Sequence, residues 1–392
     1  NGLREDTTVH WHGLNVPWLM DGHPTMPVAP GASRRYEFEV RNAPGMYWFH
    51  PHAHGRTGPQ VYRGLAGLFI VDEPPDDPRL AALPADLVEL PLVVQDRTLD
   101  DVNALVYTQS MMGFLGDDLW VNGRERYAAA VAARGHRLRI LNGSNHRILK
   151  LGWRDGTPLT VIGTDGGLLD APVQKPYVML GPAERIELLA DFRGLAPGAV
   201  RTLDSLAFRD DSMAVAGALW PQGGPRQVAT FTVAGDAPPA GGRLFLPVGY
   251  SGRRVAAADF AAAPSLAAAV CRPAGLDAQG IAADRTIVLR LERGQFTLNG
   301  RTFEADAVAD DEIVALGADE VWAFVNAGAG LGPGPGMMMA GPHVMHLHLV
   351  RFRVVERTTD GRHAEAYATV SAGLVDEGWK DTVLVMPGET VK

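Results

Sequence analysis

Cysteine is nearly absent: Cys271 is the only one in 392 residues. That excludes a disulfide framework within the chain and a zinc site built from thiolates. Positive charge is not in excess. A net charge of −9 and the lack of any basic block argue against a nucleic-acid surface. Long apolar runs are missing too, and none reaches the ~20 residues a membrane-spanning helix needs. The chain opens on Asn1 rather than Met. The lack of a targeting leader is therefore uninformative.

What is present points to β-structure. Hydrophobic residues make up 46% of the chain, enough for real cores, and 45 glycines and 28 prolines suit many short strands joined by turns. The length fits two or three domains. Apolar residues alternate at Tyr36, Phe38 and Val40 in 34–41, and at Ile186, Leu188 and Ala190 in 184–192. They alternate again at Ala229, Phe231 and Val233, and at Ile287, Leu289 and Leu291. Half-buried strands read this way. A weak long-range repeat accompanies them. Pro30-Gly31, Gly181-Pro182 and Pro387-Gly388 recur at domain spacing, and 137–142 echoes 321–326, each ending in Asn. Segment 73–77 (Glu-Pro-Pro-Asp-Asp) reads as a linker after a strand at 67–71, and the Ala/Pro/Gly-rich stretch 235–284 as another. Cys271, inside that stretch, reads as an unpaired structural thiol.

The histidines carry the chemistry. Three His-x-His pairs stand out among twelve histidines: His10/His12, His50/His52 and His346/His348. On a strand, residues i and i+2 point to the same side, so each pair can present two imidazoles together. Imidazole suits copper, zinc, iron and nickel. One pair alone is unremarkable on a surface. Three pairs exceed the needs of a single tetrahedral zinc and ask for a metal cluster bridging distant parts of the chain.

These segments resemble the multicopper oxidases, the family of laccases and bacterial copper-efflux oxidases. The resemblance rests on His10-Trp11-His12-Gly13, His50-Pro51-His52-Ala53-His54-Gly55 and His343-Val344-Met345-His346-Leu347-His348, in that order. Weaker matches are Met20-Asp21-Gly22, Gly64 to Val71, Val121-Asn122-Gly123, Asp165-Gly166-Gly167 and Trp379-Lys380-Asp381-Thr382-Val383. The resemblance implies an all-β chain of three cupredoxin-like Greek-key sandwich or barrel domains in series: 1–75, 76–234 and, after a linker at 235–284, 285–392. It implies four copper ions, a trinuclear cluster between the first and last domains and a mononuclear blue copper in the last. His10 and His346 would hold the type 2 ion, and His12, His50, His52 and His348 the type 3 pair. His343 would be one ligand of the blue copper, and Asp21 an acid relaying protons to reduced oxygen. His54 matches a position that is not a ligand. The implied activity couples one-electron oxidation of phenols, aromatic amines or metal ions to four-electron reduction of O₂. The implied location is periplasmic or extracellular.

The chain also departs from the family. The His-Cys-His motif expected near the C-terminus is absent, which leaves six of eight cluster histidines and a blue site with one His and no Cys. We therefore expect a fragment, with its first and third domains truncated and no oxidase turnover of its own. Met337, Met338 and Met339 read as a flexible loop or a soft Cu(I) site beside His343. His23, His136, His146 and His363 read as loop or surface residues, and Trp11, Trp48 and Trp379 as packing. Val344 and Leu349 replace residues the family usually has as Pro and Gly, which concerns loop shape. Two competing readings remain, a copper nitrite reductase and a copper-free relative serving as a structural factor. Oligomeric state is not legible.

Overall fold

The computed structural model describes residues 1–108, 113–210, 221–235, 280–292, 295–305, 307–327 and 341–392. Strands dominate, and the helical segments are short turns such as Thr57–Tyr62. His10–His12, Gly45–His50 and Gly67–Val71 form one antiparallel sheet. Residues 88–233 build a seven-stranded and a five-stranded sheet packed face to face. Leu138, Ile140, Ile186 and Leu188 of the larger meet Leu149, Leu151, Leu203 and Phe231 of the smaller. These are the alternating apolar positions, each contributing about 1.5–3 kcal/mol on full burial. Residues 285–391 add another five-stranded sheet and the two-stranded ladder of His343–His346 with Thr382–Val385. The architecture is the all-β one expected.

Two local expectations need correction. Residues 34–41 are not a strand, although their exposure alternates as a strand's would. Among the described residues the segment pairs with no strand, and side chains hold it instead. Tyr36 Oη accepts from Val9 N at 3.1 Å, and the Phe38 ring lies 5.2 Å from Trp11. The second correction concerns Gly135–Asn142, which is buried on both faces. Its polar face carries His136, 3% exposed rather than at the surface, together with Arg137 and Arg139. Arg137 donates to Glu187 and Glu73 at 2.7 and 2.9 Å, and Arg139 to Glu89 and Glu187 at 2.7 and 3.0 Å. Glu73 belongs to the expected linker, so these buried ion pairs pin that segment to the middle sheets.

The sequence echoes are a repeated corner. Asn142 ends one strand, and its side-chain NH₂ donates to Leu180 O at 2.9 Å while its own carbonyl accepts from Ala183 N at 2.8 Å. Glu184 closes the turn by accepting from Gly181 N at 2.7 Å. Asn326 does the same with Val385 O (3.2 Å) and Gly388 N (2.9 Å), and Glu389 accepts from Met386 N at 2.8 Å. The backbone at Ala183 and at Gly388 has φ of 71° in both copies.

Candidate metal centre

The first sheet sets out one half of the centre. His10 pairs directly with His50, and His12 with Trp48. The other half comes from the ladder near the C-terminus, where His346 pairs with Thr382. Only His10/His12 lies wholly on a strand. The other two pairs straddle a strand end, with His50 and His346 inside and His52 and His348 beyond. Pro51 lacks the N–H that would extend the first ladder. Past His348 the chain turns with Leu349 at φ 66°, a conformation that Gly takes without strain.

All six imidazoles nevertheless converge. The His10 ring stacks on His348 at 4.0 Å and that of His12 on His346 at 3.7 Å, joining residues more than 330 positions apart. His52 lies 5.3 Å from His10 and 5.0 Å from His348. One candidate ligand atom from each of His10, His12 and His346 falls within 4.8 Å of the others, and so do those of His10, Asp21 and His348. Trp48 packs against the cluster, its ring 4.2 Å from that of His50.

Hydrogen bonds decide which ring nitrogen is free. His10 Nδ1 faces Asp21 O at 2.9 Å, His50 Nδ1 faces Pro51 O at 2.8 Å, and His346 Nδ1 faces Asp381 O at 2.8 Å. His348 Nδ1 faces Asp21 Oδ2 at 2.7 Å. Each acceptor can only accept, so Nδ1 carries the proton and Nε2 keeps its lone pair. His12 is reversed. Its Nε2 faces Thr382 Oγ1 at 2.9 Å and Asp381 Oδ1 at 3.2 Å, leaving Nδ1 bare. That Nδ1 lies 3.3 Å from His50 Nε2. Two lone pairs so close repel unless a cation lies between them. The Nε2 atoms of His10 and His346 are buried without any partner. Buried polar atoms are rarely left so, and an all-imidazole donor set with its outer nitrogens anchored fits a transition metal, copper included.

The electrostatics agree. Burial pushes His52 down to about 4 and His346 to about 3, and holds His12 and His50 well below the ordinary histidine range. Neutral imidazoles are the form that binds metal. Burial alone would raise the Asp21 carboxyl, but its close contacts with the His10 and His348 rings outweigh that and keep it below the usual carboxylate range. Burial likewise opposes ionisation of Asp381, and the Arg185 guanidinium overrides it.

The other sequence candidates fall as follows. His343 sits apart from the six, with burial pushing it down to about 4, and packs edge-on against Phe296 at 4.9 Å. Cys271 and Met337 to Met339 lie outside the described residues, and no cysteine is among those described. His54 is exposed against Phe303, with ring centroids 5.3 Å apart. Trp11 packs among Tyr36, Phe38, Phe49 and Phe69. His23, His146 and His363 are half-buried in loops. Asp381, Thr382, Arg185 and Asp165 were missed as site residues. Asp165, Asp381 and Thr382 had only the signal of membership in the Asp165-Gly166-Gly167 and Trp379 to Val383 segments, and Arg185 had none beyond its place in the alternating stretch 184–192.

The comparisons with known proteins converge on one family. Two family profiles, both described as multicopper oxidase, match residues 1–76 and 285–392. The multicopper oxidase mco of Staphylococcus aureus is 32% identical over 209 residues, covering 52% of this chain and 46% of that protein. The cell division protein FtsP of Xenorhabdus nematophila is 38% identical over 194 residues, covering 49% of this chain and 41% of that protein. These matches span less than half the length of either relative. The crystal structure of McoA multicopper oxidase from Aquifex aeolicus aligns with the whole chain and 77% of its own, at TM-score 0.71 and 31% identity. Sequence and fold together place the chain in the multicopper oxidase family.

Proposed function

We propose that this chain holds copper in a protein that oxidises small reducing substrates one electron at a time and passes the electrons to O₂, forming water. The observation that carries this reading is the convergence of six imidazoles from both ends of the chain, five of them with one ring nitrogen fixed by an anchor. Copper bound there would supply the redox chemistry. His10 and His346 are assigned to the type 2 ion, His12, His50, His52 and His348 to the type 3 pair, and His343 to a blue copper. Phenols, aromatic amines and metal ions are the substrate classes. Division into three domains near residues 75, 234 and 285, and a location outside the cytoplasm, belong to the same proposal.

The chain's own residues have definable tasks. The backbone carbonyls of Asp21, Pro51 and Asp381 fix ring orientation before metal arrives. Asp21 spans the two halves, its Oδ2 on His348 and its Oδ1 3.2 Å from His10 Nδ1. That Nδ1–H already serves the Asp21 carbonyl, so Oδ1 is buried without a hydrogen bond and is the atom available to take and pass a proton. Cys271 is flanked by Val270 and Arg272 rather than by histidines, so the 392-residue chain alone is expected to load copper without oxidase turnover.

The test is copper counting by mass spectrometry, with oxygen uptake on a phenolic dye. Copper retained after dialysis and lost in His10→Ala and His348→Ala supports the reading, and no retained copper sinks it. Rapid dye oxidation by the isolated chain would overturn the expectation about turnover. A second reading, a metal-free factor in cell division, is favoured by the similarity to FtsP. It predicts no copper and no effect of the histidine substitutions on metal content.

A further inference from the structure

The middle sheets supply none of the candidate ligands, yet one of their side chains reaches the centre. Arg185 begins the strand Arg185–Asp191 and is fully buried. A guanidinium carries five N–H groups, and here each has an acceptor. Nε donates to Met46 O at 2.9 Å, in the first sheet. Nη1 donates to Asp381 Oδ1 at 2.7 Å and Ala183 O at 3.2 Å. Nη2 donates to Asp381 Oδ2 at 2.5 Å and Asp165 O at 3.3 Å. The fork on Asp381 is the bidentate geometry in which Arg cannot be replaced by a point charge.

Asp381 is held from behind and works in front. Its Oδ1 accepts from Thr382 Oγ1 at 2.7 Å and lies 3.2 Å from His12 Nε2, and its carbonyl lies 2.8 Å from His346 Nδ1. Asp165 supports it, its Oδ1 accepting from the Arg185 backbone N–H at 2.7 Å. If the carboxylate rotated, His12 Nε2–H would lose one acceptor, and the Thr382 hydroxyl, no longer donating to Asp381 Oδ1, would be free to turn its hydrogen toward Nε2, so the tautomer with a bare Nε2 would compete. We infer that Arg185 is a positioning residue for the metal centre: through the Asp381 fork it dictates the His12 tautomer that turns Nδ1 toward His50, so that the ligand-free middle of the chain controls copper loading at the far sheet. The inference rests on the copper reading for its consequence but not for its geometry.

The experiment therefore has two readouts. The first is nitrogen NMR of imidazoles in the metal-free protein, with His12 assigned by His12→Ala. The second is copper affinity by competition with a chromophoric Cu(I) chelator. In the unmodified chain, His12 carries its proton on Nε2. In Arg185→Lys, that tautomer is lost or mixed while His10 keeps its proton on Nδ1. One class of copper binds about 10–100-fold more weakly, the range typical when the group orienting a ligand is removed. If Arg185→Lys does not fold, Asp381→Asn reads the same coupling, because an amide can present NH₂ to His12 and no longer enforces the tautomer. Arg185→Lys or Asp381→Asn that only lowers the melting temperature, with His12 tautomer and copper affinity unchanged, overturns the inference. Failure of every form to bind copper would sink the copper reading, and the tautomer measurement would still decide the role of Arg185.

Discussion

The corner at Asn142 and the corner at Asn326 are the same device used for different ends. Both tie a strand end to a Pro-containing turn through an Asn amide, and both close that turn with a Glu side chain. They differ at the next position. Arg185 follows Glu184 and sends its guanidinium to Asp381, beside the histidine cluster. Thr390 follows Glu389 and sits in a ladder between Val325 and Thr358. The glutamates diverge accordingly. Glu184 meets Lys380 at 3.2 Å, within the charged group behind the site, whereas Glu389 serves Arg357 at 3.1 Å and the Tyr367 hydroxyl at 2.9 Å within its own region. One residue thus ties the corner at Asn142 to the candidate site, while the turn backbone of the two corners is alike at φ 71°.

The comparison breaks first, and most heavily, at that residue. Arg185→Met should destabilise the metal-free chain by about 3–5 kcal/mol, because it leaves the Asp381 carboxylate buried and unpaired. Thr390→Val should cost less than ~1 kcal/mol, as expected where no buried charge or cap is lost. Urea unfolding of the two variants reads the difference directly. Equal losses would mean that the two positions are equivalent parts of the scaffold.

Acidification should separate the site from the corners in a second way. His52 and His343 are pushed down to about 4 from an ordinary value of 6.5, and His346 to about 3. Between pH 6.5 and about 4 the unfolded chain binds protons at these positions that the folded chain refuses. Stability of the metal-free protein must therefore fall as pH falls through that window. The Asp21 carboxyl, held low in the fold, adds a loss that begins below its ordinary range. Urea midpoints from pH 7.5 to 4.5 give the slope, and His52→Gln should reduce it. Asn326→Ala should shift the whole curve without changing its slope, since Asn326 does not titrate.

Much of this was legible in the residues, and the limits have physical causes. The His-x-His spacing named the six cluster histidines, because a period of two is a local property of extended chain. The same alternation misread residues 34–41, since alternation reports exposure and not whether a neighbouring strand supplies hydrogen bonds. Nothing in the alternation of Gly135–Asn142 shows whether its polar face meets solvent or protein. Its burial depends on Glu73 and Glu89, tens of residues away, pairing with Arg137 and Arg139. Asp21 was named only through the family resemblance carried by Met20-Asp21-Gly22. Asp381 and Arg185 could not be named, because an Asp inside Trp-Lys-Asp-Thr and an Arg opening a strand acquire meaning only when the fold brings them together across 196 positions. His136 was misplaced for the same reason, since a lone histidine carries no signal of what will cover it.

The two asparagines should fail alike. Asn142→Ala and Asn326→Ala each strip buried hydrogen bonds from a turn and leave a carbonyl partner unsatisfied, a cost of about 1–3 kcal/mol. Similar losses by urea unfolding would support a shared role in the scaffold. A much larger loss at Asn142, approaching that of Arg185→Met, would mean that its corner also carries the strain of holding the guanidinium in place. That outcome would blur the line drawn between scaffold and site.

The smallest expected effect is the most discriminating, because it has opposite signs at equivalent positions. Ala183 and Gly388 share φ of 71°, a left-handed backbone that costs a residue with a Cβ about 1–2 kcal/mol relative to Gly. Ala183→Gly removes that strain but loosens the unfolded chain, which returns about 0.4–1 kcal/mol. The net should lie between about zero and a gain of ~1.6 kcal/mol. Gly388→Ala pays the strain, and its new Cβ would also lie 2.6 Å from Asp360 Oδ1, so it should lose at least ~1 kcal/mol. If the corners are one device, these signs follow from backbone conformation alone and hold in metal-free and copper-loaded protein alike. Stabilisation by Ala183→Gly that vanishes on copper loading would show instead that the strain at Ala183 is coupled, through the adjoining Arg185, to the geometry of the centre.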